Sequence, residues 1–293
     1  MHGHDHSVKG IRRLAIALGL TAALFIVELV GGFLTNSLAL LTDSLHMLND
    51  AFALAFAIVA AWLAQQPITM RKTYGYYRAE VLAALLNGVF LWIVVAFIFY
   101  EAFQRILHPA AVESLEMLAI AVLGLIANAL SAMTLSGSKD ESLNVKGAFL
   151  HVVADTLGSI GAISAGVIMY FTGWYQADPV ISVMIGLLIL PSSVRLVRES
   201  LNVLLEGVPS QIDMDMLERR IAGLKGVRGV HDLHAWCITP NRCILSAHVV
   251  VEKGTNGKKL TATLIDMLEK EFGIDHTTIQ LEGEDYPKAG NEH

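Results

Sequence analysis

The sequence predicts an α-helical membrane protein in which six transmembrane helices precede a small cytoplasmic α+β domain. Of its 293 residues, 54% are hydrophobic and only 16% are charged, a balance far more apolar than that of soluble domains of this size. A helix needs about 20 apolar residues to cross the hydrocarbon core of a bilayer. Six segments come close to that length, at 14–34, 38–63, 81–100, 117–133, 147–171 and 179–194.

The individual segments support this count. Segment 14–34 is longer than the roughly 7 to 15 residues of a signal-peptide core, and no small-x-small cleavage site follows it, so we expect a retained span. Segment 81–100 contains no charged residue. Segments 117–133 and 179–194 are short, and they span a bilayer only if their helices extend past these limits. Pro191 is expected to kink the last helix near its cytoplasmic end.

Basic residues define the expected orientation. With a cytoplasmic N-terminus, the external connections hold only Arg105. Because cytoplasmic loops carry the excess of Lys and Arg, we expect both termini to lie in the cytosol. The basic residues of the cytoplasmic connections are then Lys9, Arg12, Arg13, Arg71, Lys72, Arg78, Lys139, Lys146, Arg195 and Arg198.

From about Gly207 onward the pattern of polar and apolar residues is typical of a soluble domain. The stretches "IDMDMLERRIAGLKGV" and "KKLTATLIDMLEKEF" have helical spacing, whereas "VHDLHAWCI", "CILSAHVVVE" and "TTIQLE" have strand character. This order predicts an αββαβ domain, a sheet with helices on one face. The expected divisions are a His-containing cytoplasmic tail at 1–12, a transmembrane domain at 13–206, a cytoplasmic domain at 207–284 and a flexible tail at 285–293.

Charge and cysteine content exclude several classes. The net charge of −6 is spread along the chain, and no block of Lys and Arg suggests a nucleic-acid partner. Cys237 and Cys243 have neither a CxxC spacing nor the density of a disulfide scaffold. We therefore expect two reduced thiols without a special role.

Two His–Asp pairs lie inside predicted spans. His46 and Asp50 are four residues apart in "LTDSLHMLND", and His151 and Asp155 repeat the spacing in "HVVAD". This spacing places imidazole and carboxylate on one helical face, and ionisable groups within spans usually mark an ion pathway. Two nitrogens and two oxygens suit a tetrahedral zinc site. A single pair would also fit a hydrogen-bonded contact between helices, an alternative that the second pair weakens.

Other polar residues of the spans have less defined roles. Asp43 shares the face of Asp50 about two turns nearer the outside, either as a carboxylate on an exit path or, as we favour, as a structural residue near the helix start. Glu28 has no assigned partner, and a proton relay is only a hypothesis for it. Asn49, Asn87 and Asn128 fit hydrogen bonds between helices better than metal binding.

These motifs together resemble the cation diffusion facilitator family, especially its bacterial cobalt-zinc-cadmium resistance branch. The resemblance covers roughly residues 8–283 and rests on the two HxxxD pairs, "SLALLTDSLHMLND", "TYGYYRAE", "SLNVKGAFLHVVAD", "SLNVLLEGVP" and "VHDLHAW". It implies a homodimeric secondary transporter of the bacterial inner membrane that exchanges cytosolic Zn²⁺ for protons by alternating access. It also implies no enzymatic activity, no cofactor, and the lipid bilayer, Zn²⁺, protons and a second copy as partners.

The resemblance assigns residues to metal sites. It implies transport ligands at His46, Asp50, His151 and Asp155, and histidine at the first position goes with zinc over cadmium in this family. The loop "QQPITMRKTYGYYRAE" lacks the His and Asp that form a second site in some relatives, so we expect that site to be absent. In the cytoplasmic domain the candidate ligands are His231, His248, Glu282 and His234.

The hairpin register bears on these last candidates. Centred on "TPNR", the hairpin predicts His248 opposite Leu233 and His231 as its diagonal neighbour, about 7–8 Å away between backbones. His234 then points to the other face, although a slip of one residue reverses this. Gln280 occupies a position where relatives have a ligand. The sequence therefore fits a weak or incomplete regulatory site as well as a full one.

Alternatives remain for the N-terminal histidines, for the transported metal and for the class of protein. The N-terminal His2, His4 and His6 are candidates for loose metal capture, or are dispensable. Co²⁺, Cd²⁺ or Ni²⁺ would also accept the same ligands as main substrate. A membrane metal sensor or a channel fits the site but not the resemblance. An intramembrane metalloprotease would need HExxH, whereas Met47 and Val152 follow the two histidines.

Overall fold

Six long helices precede a small domain of helices and strands. The computed structural model describes residues 3–136, 143–239 and 242–283, without the side chains of residues 3–18, 135, 143–148, 150 and 151. The long helices are α1 Gly3–Thr35, α2 Leu38–Ala64, α3 Arg78–Leu107, α4 Ser114–Ser136, α5 Leu143–Thr172 and α6 Ala177–Leu204. Among the described residues, five of them are long and apolar enough to cross a membrane, and Gly19–Thr35 of α1 adds a shorter apolar helix. The expected six-span architecture is thereby confirmed.

The helices extend beyond the apolar segments. Helices α4 and α6, which are short as apolar runs, continue to Ser136 and Leu204, so both reach the length that a bilayer requires. Helix α1 begins at Gly3 and includes residues that were expected to form a polar tail. Pro191 lies inside α6, where its ring nitrogen cannot donate the usual helical hydrogen bond.

The chain divides into two compact units, one formed by residues 1–55 and 87–194 and the other by residues 56–86 and 195–293. In the first unit α1 packs on α4, and α4 packs on α5. Small residues permit this approach: a Cβ added at Gly31 would overlap the Ile120 side chain, and one at Gly166 would touch Leu118. Close backbone approach at small residues is the usual way in which membrane helices associate.

The second unit contains a three-stranded sheet. Its elements are α7 Met214–Ala222, β1 Val227–Thr239, β2 Arg242–Val251, α8 Gly257–Phe272 and β3 Ile274–Gly283. The strand order is β1-β2-β3, with β1 and β2 antiparallel and β2 and β3 parallel. The predicted αββαβ order is confirmed. Both helices start at side-chain caps, since Asp213 accepts from the Met216 N–H and Asn256 accepts from the Lys259 N–H.

One face of the sheet forms the core of this domain. Alternate residues of β2, from Cys243 to Val249, are buried with the apolar sides of α7 and α8. Because side chains alternate between the two faces of a strand, these residues share one face, and the two helices cover it. The helix residues in this core are Leu217, Ile221, Leu260, Leu264, Met267 and Leu268.

Cys237 and Cys243 are joined by a disulfide bond. This corrects the expectation of two reduced thiols. The residues pair directly across β1 and β2, with 3.9 Å between their Cα atoms. Their spacing of six residues carries no disulfide signal by itself, and only the hairpin brings the two sulfur atoms together.

Candidate metal centre

Helices α2 and α5 bring imidazole and carboxylate groups together. His46 Nε2 lies 3.7 Å from Asp50 Oδ2 on α2 and 4.0 Å from Asp155 Oδ1 on α5. The first distance follows from the spacing of four residues on one helix, whereas only helix packing produces the second. The Asp155 side chain is 2% exposed, the His46 side chain 19% and the Asp50 side chain 36%, so the three groups form a polar site that is open on the Asp50 side.

These distances suit a divalent ion. Two ligand atoms at roughly 2.0–2.1 Å from zinc, separated by a tetrahedral angle, lie about 3.3–3.4 Å apart. The observed separations of 3.7 and 4.0 Å exceed this value slightly. Small side-chain movements would therefore bring all three groups into coordination, and the donor set of imidazole and carboxylate is one that zinc accepts.

The fourth predicted ligand, His151, lies in α5 one turn before Asp155. Its side chain lies outside the described residues, so its contacts with the other three groups stay a prediction. The same holds for His4 and His6, which lie in α1 without described side chains, and for His2, which lies outside the described chain.

Two further carboxyl groups are buried in this unit. Glu28 of α1 is 1% exposed and Asp43 of α2 is 4% exposed. Neither Glu28 oxygen has a hydrogen-bond partner among the described residues. Asp43 is its electrostatic neighbour, so two acidic side chains lie close together inside this unit.

Helices α4 and α5 make room for these carboxyl groups at glycines. A Cβ added at Gly124 would lie 2.7 Å from Glu28 Oε1, and one at Gly158 would lie 3.0 Å from Asp43 Oδ1. Nearby, Asn128 Nδ2 donates to Ser159 Oγ at 3.3 Å, which confirms the expected interhelical role of this asparagine. Asp43 does not cap α2, because the first N–H groups of that helix donate to Asp178 instead.

A second cluster of ligand groups lies on the three-stranded sheet. Single ligand atoms of His231, His248 and Glu282 all lie within 4.8 Å of one another. Glu282 Oε2 is 2.9 Å from His231 Nε2, and Glu282 Oε1 is 2.7 Å from His248 Nδ1. The two imidazole rings are 5.1 Å apart between centroids. Three groups of this kind can hold zinc with a fourth position left for water or another ligand.

The electrostatics of Glu282 favour its charged form. Burial raises the pKa of this carboxyl group, but hydrogen bonds with His231 and Gln280 and the nearby imidazoles outweigh it, so the pKa lies below its ordinary value. Gln280 Nε2 donates to Glu282 Oε1 at 2.8 Å. Gln280 therefore orients a ligand rather than serving as one, a role that its residue type alone did not reveal.

Two irregularities of β1 change the expected register. His248 pairs with His231, not with Leu233, because β1 has one extra residue between Cys237 and Thr239 and a second between His231 and His234. Asp232 lies in the second of these bulges with φ of 50°, a left-handed conformation that Asp tolerates better than most residues. His234 lies outside the three-residue cluster, and its Nε2 is 2.9 Å from Asp232 Oδ1.

Comparison with protein families identifies the class. Residues 14–205 match the family described as cation efflux transmembrane domain, and residues 209–284 match the cation efflux protein cytoplasmic domain. The chain belongs to the cation efflux family, a family of metal cation transporters.

Individual relatives match over nearly the whole chain. Metal cation efflux system protein CzcD of Cupriavidus metallidurans is 46% identical over 96% of this chain and 89% of its own length. Zinc transporter ZitB of Escherichia coli is 42% identical over 96% and 92%, and the cadmium, cobalt and zinc/H(+)-K(+) antiporter of Bacillus subtilis is 40% identical over 96% and 92%. The solved metal-bound C-terminal domain of CzcD is 36% identical, covering 24% of this chain and 99% of that domain with a TM-score of 0.23.

Proposed function

We propose that this protein exports Zn²⁺ from the cytosol in exchange for protons, by alternating access around His46, Asp50, His151 and Asp155. The observation that carries the proposal is the approach of His46 on α2 to Asp155 on α5, at 4.0 Å. Ionisable groups inside membrane helices are costly and usually belong to an ion pathway. The names of the relatives, a zinc transporter and a cadmium, cobalt and zinc antiporter, support the same activity.

Exchange follows from competition for the same ligand atoms. Zinc binds neutral imidazole and ionised carboxylate, so metal binding releases protons and protonation releases metal. Imidazole is the side chain whose charge ordinarily changes nearest to neutral pH. The site loads Zn²⁺ when open to the cytosol and loses it as protons enter from the other side, while helices rock around the fixed ligands.

The proposal includes an orientation and an assembly. Both termini lie in the cytosol, and six helices cross the inner membrane of a bacterium, because Arg105 is the only basic residue of the external connections in this arrangement. Two copies assemble into a homodimer, as the family resemblance implies. Cysteine labelling of intact cells, at positions 110 and 206, distinguishes this orientation from its inverse.

A further zinc ion is proposed for the cytoplasmic domain. His231, His248 and Glu282 supply its ligands, since their atoms lie within 4.8 Å of one another. This ion would remain bound during transport and would adjust the activity to the cytosolic zinc concentration. The proximity of three ligand groups supports this assignment.

Zinc flux into reconstituted vesicles tests the transport proposal. We expect saturable flux that increases with a pH gradient in the wild type and is nearly abolished in Asp155→Ala, because the substitution removes a buried ligand. Thr156→Val is the matched control: it changes the next residue of α5, whose hydroxyl donates only to the Val152 carbonyl of the same helix, at 2.7 Å. This variant should transport zinc like the wild type.

The same assay distinguishes the alternatives. Undiminished flux in Asp155→Ala would contradict the site, and flux indifferent to the pH gradient would contradict proton exchange. Flux that never saturates indicates a channel, and metal binding without flux indicates a sensor. Competition by Co²⁺, Cd²⁺ and Ni²⁺ identifies the main substrate, since affinity alone separates these metals poorly.

Membrane potential reports the stoichiometry. Exchange of Zn²⁺ for one proton moves one net charge, at about 2.3 kcal/mol per 100 mV, whereas exchange for two protons is electrically silent. Initial rates at potentials clamped with potassium and valinomycin therefore separate the two cases.

A further inference from the structure

The first turn of α2 is capped by a side chain from another helix. Asp178, near the start of α6, is fully buried. Its Oδ2 accepts a hydrogen bond from the Leu38 N–H at 2.7 Å, and its Oδ1 accepts from the Ala39 N–H at 3.1 Å. The Ser37 hydroxyl also donates to Oδ1, at 2.7 Å. Ser37 is the local N-cap, because its hydroxyl oxygen accepts from the Leu40 N–H at 3.3 Å. Asp178 satisfies the two N–H groups that this cap leaves open.

The end of α3 binds the same turn. Arg105 donates to the Asn36 carbonyl at 2.6 Å through Nη1 and to the Asn36 side-chain oxygen at 3.1 Å through Nη2. Its Nη1 also lies 3.8 Å from Asp178 Oδ2, and its Nε donates to Glu101 at 2.9 Å. Asn36 adopts a left-handed conformation with φ of 57°, which turns α1 into α2 within reach of these groups.

This network suits an ionised carboxylate in a buried place. The helix N-terminus carries a partial positive charge, and Arg105 adds a full one. Three donors satisfy the two oxygens of Asp178, which offsets part of the cost of burying this carboxyl group. Asp178 is not one of the metal-site residues. Its burial therefore indicates a different role.

We propose that Asp178 is a positioning residue for the transport site. It fixes the start of α2 against α3 and α6 and thereby sets the height and rotation of His46 and Asp50 opposite Asp155. His46 lies eight residues after Leu38, about 12 Å along a rigid helix, so a shift of the first turn is transmitted to the imidazole. Arg105, the single basic residue of the external connections, serves this network.

Metal binding depends on the position of α2, because its ligands come from two helices. The 4.0 Å between His46 Nε2 and Asp155 Oδ1 spans two helices, whereas coordination needs about 3.3–3.4 Å between ligand atoms. A displacement of α2 by about an ångström would take the imidazole out of reach of an ion held by α5. Loss of Asp178 should therefore weaken metal binding while every ligand remains present.

Transport kinetics of the full-length protein in vesicles test this proposal, which rests on the proposed zinc transport. In Asp178→Asn the amide nitrogen faces backbone donors, so we expect the zinc concentration for half-maximal flux to rise about tenfold with a smaller change in maximal rate. Ser37→Ala removes both the donor to Asp178 and the acceptor for the Leu40 N–H, and it should raise this concentration by about threefold. Ser182→Ala is the matched control, because its hydroxyl donates to the Asp178 carbonyl and not to the carboxylate.

Amide hydrogen exchange provides a readout that does not depend on transport. Peptides covering residues 36–42 should exchange slowly in the wild type and in Ser182→Ala, and at least about tenfold faster in Asp178→Asn. Unprotected amides in the wild type, or unchanged half-saturation in both Asp178→Asn and Ser37→Ala, would overturn the proposal. If the wild type carries no zinc at all, the proposed function fails, while the exchange data still decide the capping role.

Discussion

His231 and His248 are direct partners across the antiparallel strands β1 and β2, with 5.1 Å between their ring centroids. An unbroken hairpin would separate them diagonally, but β1 has one extra residue between Cys237 and Thr239 and another at the Asp232 bulge. Glu282 reaches both imidazoles from β3. The cluster therefore depends on two backbone irregularities as much as on its ligands.

The ligand assignment predicts a loss of metal binding in His248→Ala. Removal of this imidazole leaves two of the three groups, so we expect the full-length protein to bind about one zinc ion fewer per chain at micromolar zinc. His234→Ala is the matched control, since this histidine lies in the neighbouring strand β1, outside the cluster, and its Nε2 contacts Asp232. Equilibrium dialysis measures the stoichiometry, and equal losses in both variants would contradict the three-residue cluster.

The bulge predicts opposite behaviour for two substitutions of Asp232. A β-branched residue at φ of 50° is strained, at a cost of roughly 1–3 kcal/mol, so Asp232→Val should accelerate amide exchange of β1 and β2 and weaken zinc binding. Asp232→Gly removes the same carboxylate without strain and should keep both properties close to wild type. Identical effects of Val and Gly would assign the role of Asp232 to its carboxylate instead of its backbone.

The assignment of His46 as a ligand predicts a change in selectivity between zinc and cadmium when this imidazole is replaced. Aspartate at this position replaces a nitrogen ligand by oxygen, and the family resemblance associates histidine there with zinc over cadmium. We expect His46→Asp to raise the ratio of cadmium to zinc transport by about tenfold. Substitutions of residues that merely orient a metal ligand already change metal affinity by this amount. Both fluxes are measured in one vesicle preparation, so the amount of protein cancels. An unchanged ratio would separate this imidazole from selectivity.

An ion pair between α7 and α8 predicts a pH dependence of stability. Arg220 Nε donates to Glu271 Oε2 at 2.8 Å, and this hydrogen bond holds the pKa of Glu271 below its ordinary value of 4.5. A carboxyl group with a lowered pKa stabilises the fold above its ordinary pKa, and the contribution disappears as the pH falls through the lowered value. Glu271→Gln should therefore unfold at a lower temperature than wild type at pH 7.

Scanning calorimetry across the acid range measures this difference. The gap between wild type and Glu271→Gln should close as the pH falls below the lowered pKa, since both side chains are then uncharged. Glu269→Gln, a neighbour in α8 outside this ion pair, should follow the wild type throughout. A gap that persists in acid would show that Glu271 acts through packing instead of charge.

The fold was largely predictable because its signals are local. Apolar runs identify membrane helices without knowledge of their neighbours, and the αββαβ order follows from hydrophobic periodicity. The pairs His46–Asp50 and His151–Asp155 were recognisable for the same reason, since a spacing of four residues reports a shared helical face. Helix ends were less predictable: α6 continues to Leu204, past the charged residues Arg195, Arg198 and Glu199.

The unpredicted features all depend on contacts between distant parts of the chain. The Cys237–Cys243 disulfide and the His231–His248 pairing follow from a hairpin register that irregularities of β1 alter. Asp178 caps a helix whose first residue is 140 positions away, and "ADPV" shows only that an acid precedes a proline.

The sequence by itself determined the membrane class, the order of the elements and the ligand types on α2 and α5, because apolar length and helical spacing are properties of neighbouring residues. Only the tertiary structure decided which groups meet: His46 with Asp155, Glu28 with Asp43, and Asp178 with the start of α2. The physical reason is that packing between helices sets distances to within an ångström, and metal coordination and helix capping both depend on distances of that size.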